Sequence, residues 1–377
     1  MGKFVATVFV VLLVLASSAW TDQQPATYKL SGYGAVCDGQ HDDAAAFRAA
    51  AAAAAKSCIQ VNRDEWYQSV LEFPDRGSCI FNSPISLDAS CSKLETNGSV
   101  LRFPKGSGLT FTSSHPINPY GDNLAIKEEL HIVGPGTSTT SGTYGILLNA
   151  ANLVFTSLDV NGFNYGIEIG DNAYMISFYH PNLWANGTGL YCSTGLKNSG
   201  ENISGFGGAI FNNAIGVDNQ GCDIVLSSTS LDYNTVSAVK DAANSNNGAA
   251  TGSVSLVGVN VEFGVDTGPV FQLGINGTGS NCNGFAFILV EGGKIHATVF
   301  PRGSNAVALV DNDTCRIPGL RSGGTVTIRD AWVAGIQPSG KCVAGTSGTN
   351  CVIGNNAHQV KLIDLHNDSG HWFTWNQ

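Results

Sequence analysis

The chain is poor in charge and especially poor in positive charge. Charged residues make up 13% of its 377 residues, and 19 lysines and arginines face 29 aspartates and glutamates, for a net charge of −10. The basic residues form no cluster, so the sequence offers no electrostatic footprint for a nucleic acid. With only two methionines against 46 glycines, the composition also excludes a helical bundle and favours many short strands joined by turns.

Closely spaced cysteine pairs are absent, although the chain holds ten cysteines. None of them forms the C-x-x-C pair that commonly begins a zinc site, so disulfides are the better interpretation. The sequence leaves their connectivity open. Cys192–Cys222 and Cys342–Cys351 are candidate pairs, because these cysteines lie near each other along the chain or in the repeat described below.

Beyond the N-terminus, no apolar run is long enough to cross a membrane. Lys3 is followed by an apolar stretch over residues 4–16 and by a small-residue cleavage site ending at Ala19, which is the pattern of a secretory signal peptide. We expect a signal peptide at residues 1–19 and a mature chain that is secreted, extracellular or periplasmic, and not held in a membrane. The alternative is an uncleaved anchor helix, for which the run is short.

One strong helical pattern stands near the N-terminus. Asp42 and Asp43 precede an alanine-rich run that ends near Lys56, so acids begin the run and a base ends it, as the helix macrodipole favours. From about Val100 onward, short apolar alternations are broken every few residues by Gly, Asn, Asp or Ser. This second pattern predicts strands and turns.

The strand-like region also repeats itself. Four segments align when they start at Ile176, Ile203, Ile224 and Val254, and these starts are 27, 21 and 30 residues apart. Such irregular spacing is typical of the coils of a β-helix, whose loops vary in length. A β-propeller would need a longer and more even repeat, and a two-sheet sandwich would be small for this chain.

Residues 33–50 resemble a known opening. They read Tyr-Gly-Ala-x-x-Asp-Gly-x-x-Asp-Asp-x-x-Ala-Phe-x-x-Ala, which is similar to the N-terminal motif of the pectate-lyase superfamily, a group that includes polygalacturonase-like hydrolases and tailspike depolymerases. The resemblance implies an all-β fold: a single-stranded right-handed parallel β-helix with an N-terminal capping α-helix. We expect this domain to span residues 20–377, with the cap at about 33–60.

The chain departs from the enzymes of that superfamily in its central region. The N-T-D, D-D, G-H-G and R-I-K motifs of polygalacturonases are not found in order, and Lys294-Ile295-His296 is no substitute for the last of them. The arginine-bearing pattern of calcium pectate lyases is absent too. The resemblance therefore implies the fold strongly and the reaction weakly.

Equal positions in successive coils should form columns, with neighbours ~4.8 Å apart. The ninth position of the alignment holds Trp184, Phe211, Asp232 and Glu262. We expect Asp232 and Glu262 to stack as a catalytic pair in which one carboxyl is protonated and the other ionised. Trp184 and Phe211, if they point outward, would bind sugar rings. The alternative is that the acids are turn residues and the aromatic residues belong to the core.

Five further residues are candidates for the site. Glu201 lies in an Asn-Ser-Gly-Glu run that resembles one found in some depolymerase-like β-helices, and Asp223 would face it across one coil step as a second acidic pair. Tyr233, Lys197 and His296 are candidates for substrate binding. The alternative is a solvated turn position for the acids and an ordinary hydrogen-bonded surface position for the histidine.

Two polar sets are expected to be structural. Asp38, Asp42 and Asp43 fit the tight turn and the start of the capping helix. The eleventh position of the repeat fits a stack of amides along the solenoid axis. It holds Asn186, Asn213, Asn234 and Gly264.

The sequence thus predicts a secreted enzyme that cleaves a polysaccharide substrate, as a glycoside hydrolase with paired carboxylates and no metal or cofactor. One alternative is a lyase that acts on a uronate polymer; it would use Lys197, Tyr233 or His296 as the base and could need Ca²⁺ to neutralise the substrate. A second alternative is a β-helix that binds glycans without cleaving them. Nothing in the sequence fixes an oligomeric state.

Overall fold

In the computed structural model, the part of the chain that is described consists of fourteen segments. These are residues 26–62, 65–115, 124–136, 142–193, 195–241, 251–263, 269–274, 285–297, 308–313, 325–334, 337–341, 351–357, 360–367 and 372–376. The predicted signal peptide and Cys342 lie outside them. No described helix is both long and apolar enough to cross a membrane.

The described strands are stacked, almost all in parallel, into the coils of a solenoid with three faces. Face 1 consists of β1 (Thr27–Lys29), β5 (Ser69–Glu72), β8 (Ser92–Glu95), β15 (Ile176–Tyr179), β18 (Ile203–Phe206), β21 (Asp223–Ser227), β24 (Thr251–Val257), β27 (Phe285–Glu291) and β30 (Thr325–Arg329). Face 2 consists of β2 (Asp38–Asp42), β6 (Ser78–Ile80), β9 (Val100–Arg102), β16 (Pro181–Trp184), β19 (Ala209–Phe211), β22 (Ser230–Asp232), β25 (Asn260–Phe263), β28 (Lys294–Ala297) and β31 (Trp332–Ala334). Three longer strands run through both faces: β11 (Leu124–Val133), β13 (Val154–Asn161) and β34 (Val360–Asn367).

Face 3 is a separate sheet. It consists of β7 (Ile85–Asp88), β10 (Leu109–Thr112), β12 (Tyr144–Asn149), β14 (Tyr165–Ile169), β17 (Thr188–Cys192), β20 (Ile215–Asn219), β23 (Ser237–Asp241), β26 (Phe271–Gly274), β29 (Ala308–Asp313), β32 (Gln337–Lys341) and β33 (Cys351–Ala357). Antiparallel pairing joins β3 (Ile59–Asn62) to β4 (Glu65–Tyr67) and β34 to β35 (Trp372–Asn376). The parallel β-helix predicted from the repeat and the N-terminal motif is confirmed.

The predicted coil register is confirmed residue by residue. Ile176, Ile203, Ile224 and Val254 are direct partners on successive strands of face 1. Each of these side chains is fully buried, so every coil adds one aliphatic side chain to a continuous inner column. A one-residue slip would turn these side chains outward and lose the burial of each, which is why the register is fixed.

The first coil is covered by the predicted helix, α1 (Ala44–Lys56). Phe47 of the helix is buried and packs against Phe73 and Phe81, with ring centroids 6.1 and 6.0 Å away. The helix therefore closes the open end of the solenoid, where a bare coil would expose core and strand edge. A 3₁₀ helix (Leu30–Tyr33) precedes it.

The two aspartates at the start of the helix have different structural roles. Asp42, the residue before the N-cap, accepts a hydrogen bond from the Ala44 amide at 3.1 Å and satisfies the first free N–H of the helix. Asp43 is 2% exposed, and its carboxylate accepts backbone N–H groups of Val36, Cys37 and Ile80. Asp43 therefore ties the cap to the first coil instead of capping the helix.

Three disulfides lie within the described residues. Cys192–Cys222 is the pair that the repeat suggested, and it is confirmed. Cys37–Cys79 and Cys58–Cys91 join the cap region to the first coils. The other suggested pair, Cys342–Cys351, cannot be compared because Cys342 is outside the described residues.

The predicted asparagine stack is present at the corner between faces 2 and 3. Asn186, Asn213 and Asn234 are at most 2% exposed. The side-chain oxygen of Asn213 accepts the Asn186 amide N–H at 2.9 Å, and its side-chain nitrogen donates to the Leu183 carbonyl at 2.9 Å. Each amide thereby joins its own coil to neighbouring coils and satisfies buried backbone groups. Gly264, the fourth member, lies outside the described residues.

Replacing Asn213 by alanine should destabilise the solenoid. The Asn213→Ala variant leaves the Asn186 N–H and the Leu183 carbonyl buried without partners, so we expect the free energy of unfolding to fall by about 2–4 kcal/mol. Denaturant titration followed by circular dichroism measures it. The matched control is Asn182→Ala, at an outward position on β16. This substitution should change the free energy of unfolding by less than ~0.5 kcal/mol. Equal effects of the two substitutions would show that the stack carries no special stability.

Candidate active site

The ninth position of the repeat forms one column on the outside of face 2. Its members Trp184, Phe211, Asp232, Glu262 and His296 are direct partners on β16, β19, β22, β25 and β28. The residue before each of them is a buried aliphatic side chain, so strand alternation turns the column outward. The structure thus brings together five residues that the sequence singled out: four at the ninth position of the aligned segments, and His296 on the next coil.

The upstream end of the column is aromatic. The rings of Trp184 and Phe211 are half-buried and stacked, with centroids 6.1 Å apart and planes inclined by 12°. The next rung is Asp232, whose side chain is smaller than an aromatic ring. A sugar ring that packs against the downstream side of Phe211 would therefore lie over Asp232.

Asp232 is held by two neutral groups. The Ser230 hydroxyl donates to one carboxyl oxygen at 2.5 Å, and the Asn260 side-chain amide donates to the other at 3.2 Å. Burial raises the pKa of Asp232, and the negative charge of Glu262 raises it further, against the lowering effect of the Ser230 and Asn260 hydrogen bonds. The environment therefore shifts the Asp232 carboxyl toward its protonated form relative to an ordinary aspartate.

Glu262 has a different environment from its neighbour. The Tyr233 hydroxyl donates a hydrogen bond to one of its oxygens, and Nε2 of His296 lies 3.6 Å from the other. Tyr233 lies at the corner after β22 with a left-handed backbone, φ 52°. This conformation directs its side chain toward Glu262 on the next coil. Glu262 therefore has a hydroxyl donor and an imidazole as neighbours, whereas Asp232 lies among a serine and an asparagine.

A second set of side chains extends the surface upstream and was missed in the sequence. Asp159 accepts a hydrogen bond from the Trp184 indole Nε1–H at 2.9 Å and lies 3.7 Å from Nε2 of His131. It fixes the orientation of the indole. Asp159 is the direct partner of Asn182, so extending the sequence alignment by one coil toward the N-terminus would have found it.

Two basic side chains of the described residues downstream of the pair have partners, Lys294 on face 2 and Arg329 on face 1. Nζ of Lys294 lies 4.7 Å above the Trp332 ring, a cation–π contact. Arg329 pairs with Glu291 at 2.8 Å. Neither contact was predicted from the sequence, although Lys294 and Trp332 are direct partners in the strand register.

Three predicted site residues lie elsewhere. Asp223 is exposed at the start of β21 on face 1, where it accepts a hydrogen bond from Ser253, nine positions before Asp232. Glu201 and Lys197 are exposed in the loop that leads from face 3 to face 1, and the Lys197 amide N–H binds Asp171. The structure therefore separates this group from Asp232 and Glu262 by the whole width of face 1.

Groups of possible metal ligands do not include this column. The described residues hold two clusters of three such side chains, Cys58, Cys91 and His115, and Cys37, Asp43 and Cys79. Each cluster includes both sulfurs of a disulfide, and a disulfide offers no thiolate to a metal.

No family model matches the sequence, and neither does any curated protein. Among solved structures, PfbA, a surface adhesin of Streptococcus pneumoniae, superposes with a TM-score of 0.50 at 11% identity, over 91% of this chain and 90% of the adhesin. ORF18 of Geobacillus virus E2 has a TM-score of 0.49 at 14% identity, over 98% of this chain and 66% of the viral protein. The catalytic unit of an α-1,3-glucanase of family GH87 from Streptomyces thermodiastaticus has a TM-score of 0.47 at 13% identity, over 90% and 70%.

The likeness to the adhesin shows a shared fold and nothing more at 11% identity. The chain spans slightly less than two thirds of the viral protein. The resemblance carried by residues 33–50 is thereby confirmed for the fold: the chain is a parallel β-helix with an N-terminal capping helix.

Removing the charge of Glu262 should lower the pKa of Asp232. In Glu262→Gln the repulsion disappears while burial, the larger cause, remains, so we expect a pKa that moves toward the ordinary aspartate value without reaching it. Carboxyl ¹³C NMR of selectively labelled aspartates follows the titration. The matched control Glu291→Gln, on the neighbouring face, should leave the Asp232 titration where it is. An unchanged Asp232 pKa in Glu262→Gln would contradict the stacking of the two carboxyls.

Proposed function

We propose that this protein is a secreted glycoside hydrolase that cleaves a neutral polysaccharide with Asp232 as the general acid and Glu262 as its carboxylate partner. The observation that carries the proposal is the direct pairing of the two carboxyls on adjacent coils, with the pKa of Asp232 raised by burial and by Glu262. Two carboxyls with separated protonation states are the minimum machinery of glycosidic bond hydrolysis.

The spacing of the pair favours retention of anomeric configuration. Adjacent parallel strands lie ~4.8 Å apart, which is close to the ~5–5.5 Å between carboxyls in retaining enzymes and shorter than the ~6.5–9.5 Å of inverting ones. Asp232 donates its proton to the glycosidic oxygen, that bond to the anomeric carbon breaks, and a Glu262 oxygen bonds to the same carbon. Water, deprotonated by Asp232, then displaces Glu262 and restores both groups.

The surroundings of the pair support a neutral glycan. Trp184 and Phe211 offer stacked rings in the same column, and Asn260 and Ser230 offer hydrogen-bonding groups beside Asp232. Among the described residues, Lys294 on this surface lies over an aromatic ring, and Arg329 on the neighbouring face 1 is paired with Glu291. A uronate polymer would bring further negative charge toward Asp159, Asp232 and Glu262, which would repel it.

The proposed location follows from the cysteines. The three disulfides of the described residues are typical of an oxidising compartment and fit a secreted or periplasmic protein. The N-terminal segment predicted as a signal peptide supports the same location.

One contact favours a second candidate, elimination at a uronate. The Tyr233 hydroxyl binds Glu262, and His296 lies on the other side of that carboxylate, so a tyrosine or histidine base could act from the same column. Such a lyase would need a cation, with Ca²⁺ as the natural choice, to neutralise the substrate carboxylate. Binding without cleavage is the third outcome that the assay must separate.

A panel of polysaccharides distinguishes the three candidates in one experiment. The purified protein is incubated with amylose, xylan, mixed-linkage β-glucan and polygalacturonate, the last also with Ca²⁺. We expect reducing ends to accumulate on a neutral polymer without the ultraviolet absorbance of an unsaturated uronate. Absorbance growth on polygalacturonate would show a lyase, and retention on the polymers without new reducing ends would show a binding protein.

Both carboxyls of the pair should be essential for turnover. We expect Asp232→Asn and Glu262→Gln each to lower kcat by about 10²–10⁴-fold, because each removes a proton-transfer or nucleophilic step. Reducing-end assays measure the loss, and circular dichroism confirms the fold. Glu291→Gln is the matched control and should retain full activity. Loss of turnover in Glu201→Gln or Asp223→Asn, with retention in Asp232→Asn, would move the reaction to the other acidic pair.

A further inference from the structure

Face 1 carries a second pair of stacked rings outside the candidate active site. Tyr179 and Phe206 are direct partners on β15 and β18, with ring centroids 5.2 Å apart and planes inclined by 19°. They are 43% and 38% exposed, so they contribute little to the core. Large aromatic side chains that remain exposed and ordered against each other are typical of a binding surface.

The two aromatic stacks occupy the same two coils on either side of one corner. The corner consists of His180–Pro181 on one coil and Gly207–Gly208 on the next. A Cβ on Gly208 would lie 2.3 Å from the Pro181 carbonyl oxygen, and one on Gly207 would lie 3.0 Å from Nδ1 of His180. A side chain at Gly208 would therefore clash with the backbone of the preceding coil, and the two stacks lie on different faces on either side of this corner.

Because the corner lies between the two stacks, a single segment of ligand does not contact both of them. A glycan chain that runs along face 2 over Phe211 and Asp232 follows the solenoid axis, because the column does. Tyr179 and Phe206 point outward from face 1, beyond the exposed His180 at the corner. One extended chain segment on face 2 therefore does not reach them, and they are available to another segment.

The surroundings of the exposed stack match the chemistry of a sugar. The rung after Phe206 is Ser227, so no large side chain covers the downstream side of the Phe206 ring. Ser177 and Ser204 are direct partners on the same two strands and point outward beside the rings. A pyranose has an apolar C–H face and a rim of hydroxyls, which fit an aromatic ring bordered by serine hydroxyls.

A second copy of this chain fits the surface less well. Along the column of Tyr179 and Phe206, the next residues are Ser227, Val257 and the Glu291 that pairs with Arg329. This column is therefore interrupted by a hydroxyl and ends in charge within a few rungs, and the exposed Val225 and Phe287 of the same face lie outside it. A stable protein interface needs a larger continuous apolar centre.

We propose that Tyr179 and Phe206 form a non-catalytic binding site on face 1 for a segment of neutral polysaccharide. The ligand class of this site rests on the proposed function. The site does not depend on the proposed hydrolysis, since binding needs no turnover. A polymer long enough to contact both faces binds with higher affinity, because the first contact raises the effective concentration of the chain at the second site. A short oligosaccharide contacts one site only, so its affinity does not rise.

Affinity electrophoresis tests the site directly. The wild type, Tyr179→Ala, Phe206→Ala and the double variant run through native gels that contain amylose, xylan or mixed-linkage β-glucan. We expect at least one polymer to retard the wild type, and each single variant to bind that polymer about fivefold more weakly. Val257→Ala is the matched control, because Val257 is 40% exposed in the same column and lies two rungs beyond Phe206; its mobility should equal that of the wild type.

Kinetics with short oligosaccharides separate this site from the active site. The Tyr179 and Phe206 variants should keep the kcat and KM of the wild type on oligosaccharides while KM for the polymer rises. Asp232→Asn should show the reverse, with turnover lost and gel retardation kept. Absence of hydrolysis together with ring-dependent retardation would refute the proposed function and leave the binding site standing.

Three results would overturn the binding site. The first is a wild type that no neutral polymer retards. The second is retardation that Tyr179→Ala and Phe206→Ala leave unchanged. The third is a dimer in light scattering that either substitution converts to a monomer without any change in gel mobility, which would assign the rings to contact between two copies of the chain.

Discussion

The structure depends on the fixed register between successive parallel coils. Buried aliphatic side chains such as Ile203 and Ile224 stack inside the solenoid, and the amides of Asn186, Asn213 and Asn234 lock one corner from rung to rung. Because burial on the inside sets the register, side chains on the outside are aligned without any contact of their own being required. The candidate active site is a consequence of this constraint, since Asp232 and Glu262 are 30 residues apart in sequence and adjacent only through it.

The same constraint explains how much the sequence could predict. An apolar or small residue recurring at the first, third and eighth positions of each segment was enough to place Trp184, Phe211, Asp232 and Glu262 in one column, and to pair Cys192 with Cys222. Solenoid folds make such inference reliable because each coil contacts only its neighbours. The capping helix was equally readable, since its alanine-rich run has one acidic end and one basic end.

What the sequence could not give are contacts that cross between elements or depend on side-chain direction. Asp43 looked like a helix cap, yet its carboxylate binds the amides of a neighbouring strand and loop, a choice set by tertiary packing. Glu201 and Asp223 remain a predicted second pair, and the sequence did not show that face 1 lies between them and Asp232. The exposure of Tyr179 and Phe206 was also hidden, because alternation alone does not say which outward side chains stay uncovered.

Distance measurement between two spin labels tests the coil register most directly. Labels introduced through unnatural amino acids at positions 179 and 329 would report on one outward column of face 1, in which Tyr179, Phe206, Ser227, Val257, Glu291 and Arg329 follow one another as direct partners. We expect a single narrow distance distribution in pulsed electron–electron double resonance, centred at ~24 Å, which is five strand spacings. A broad distribution, or a centre displaced by a whole rung of ~4.8 Å, would contradict the register on which the paired carboxyls depend.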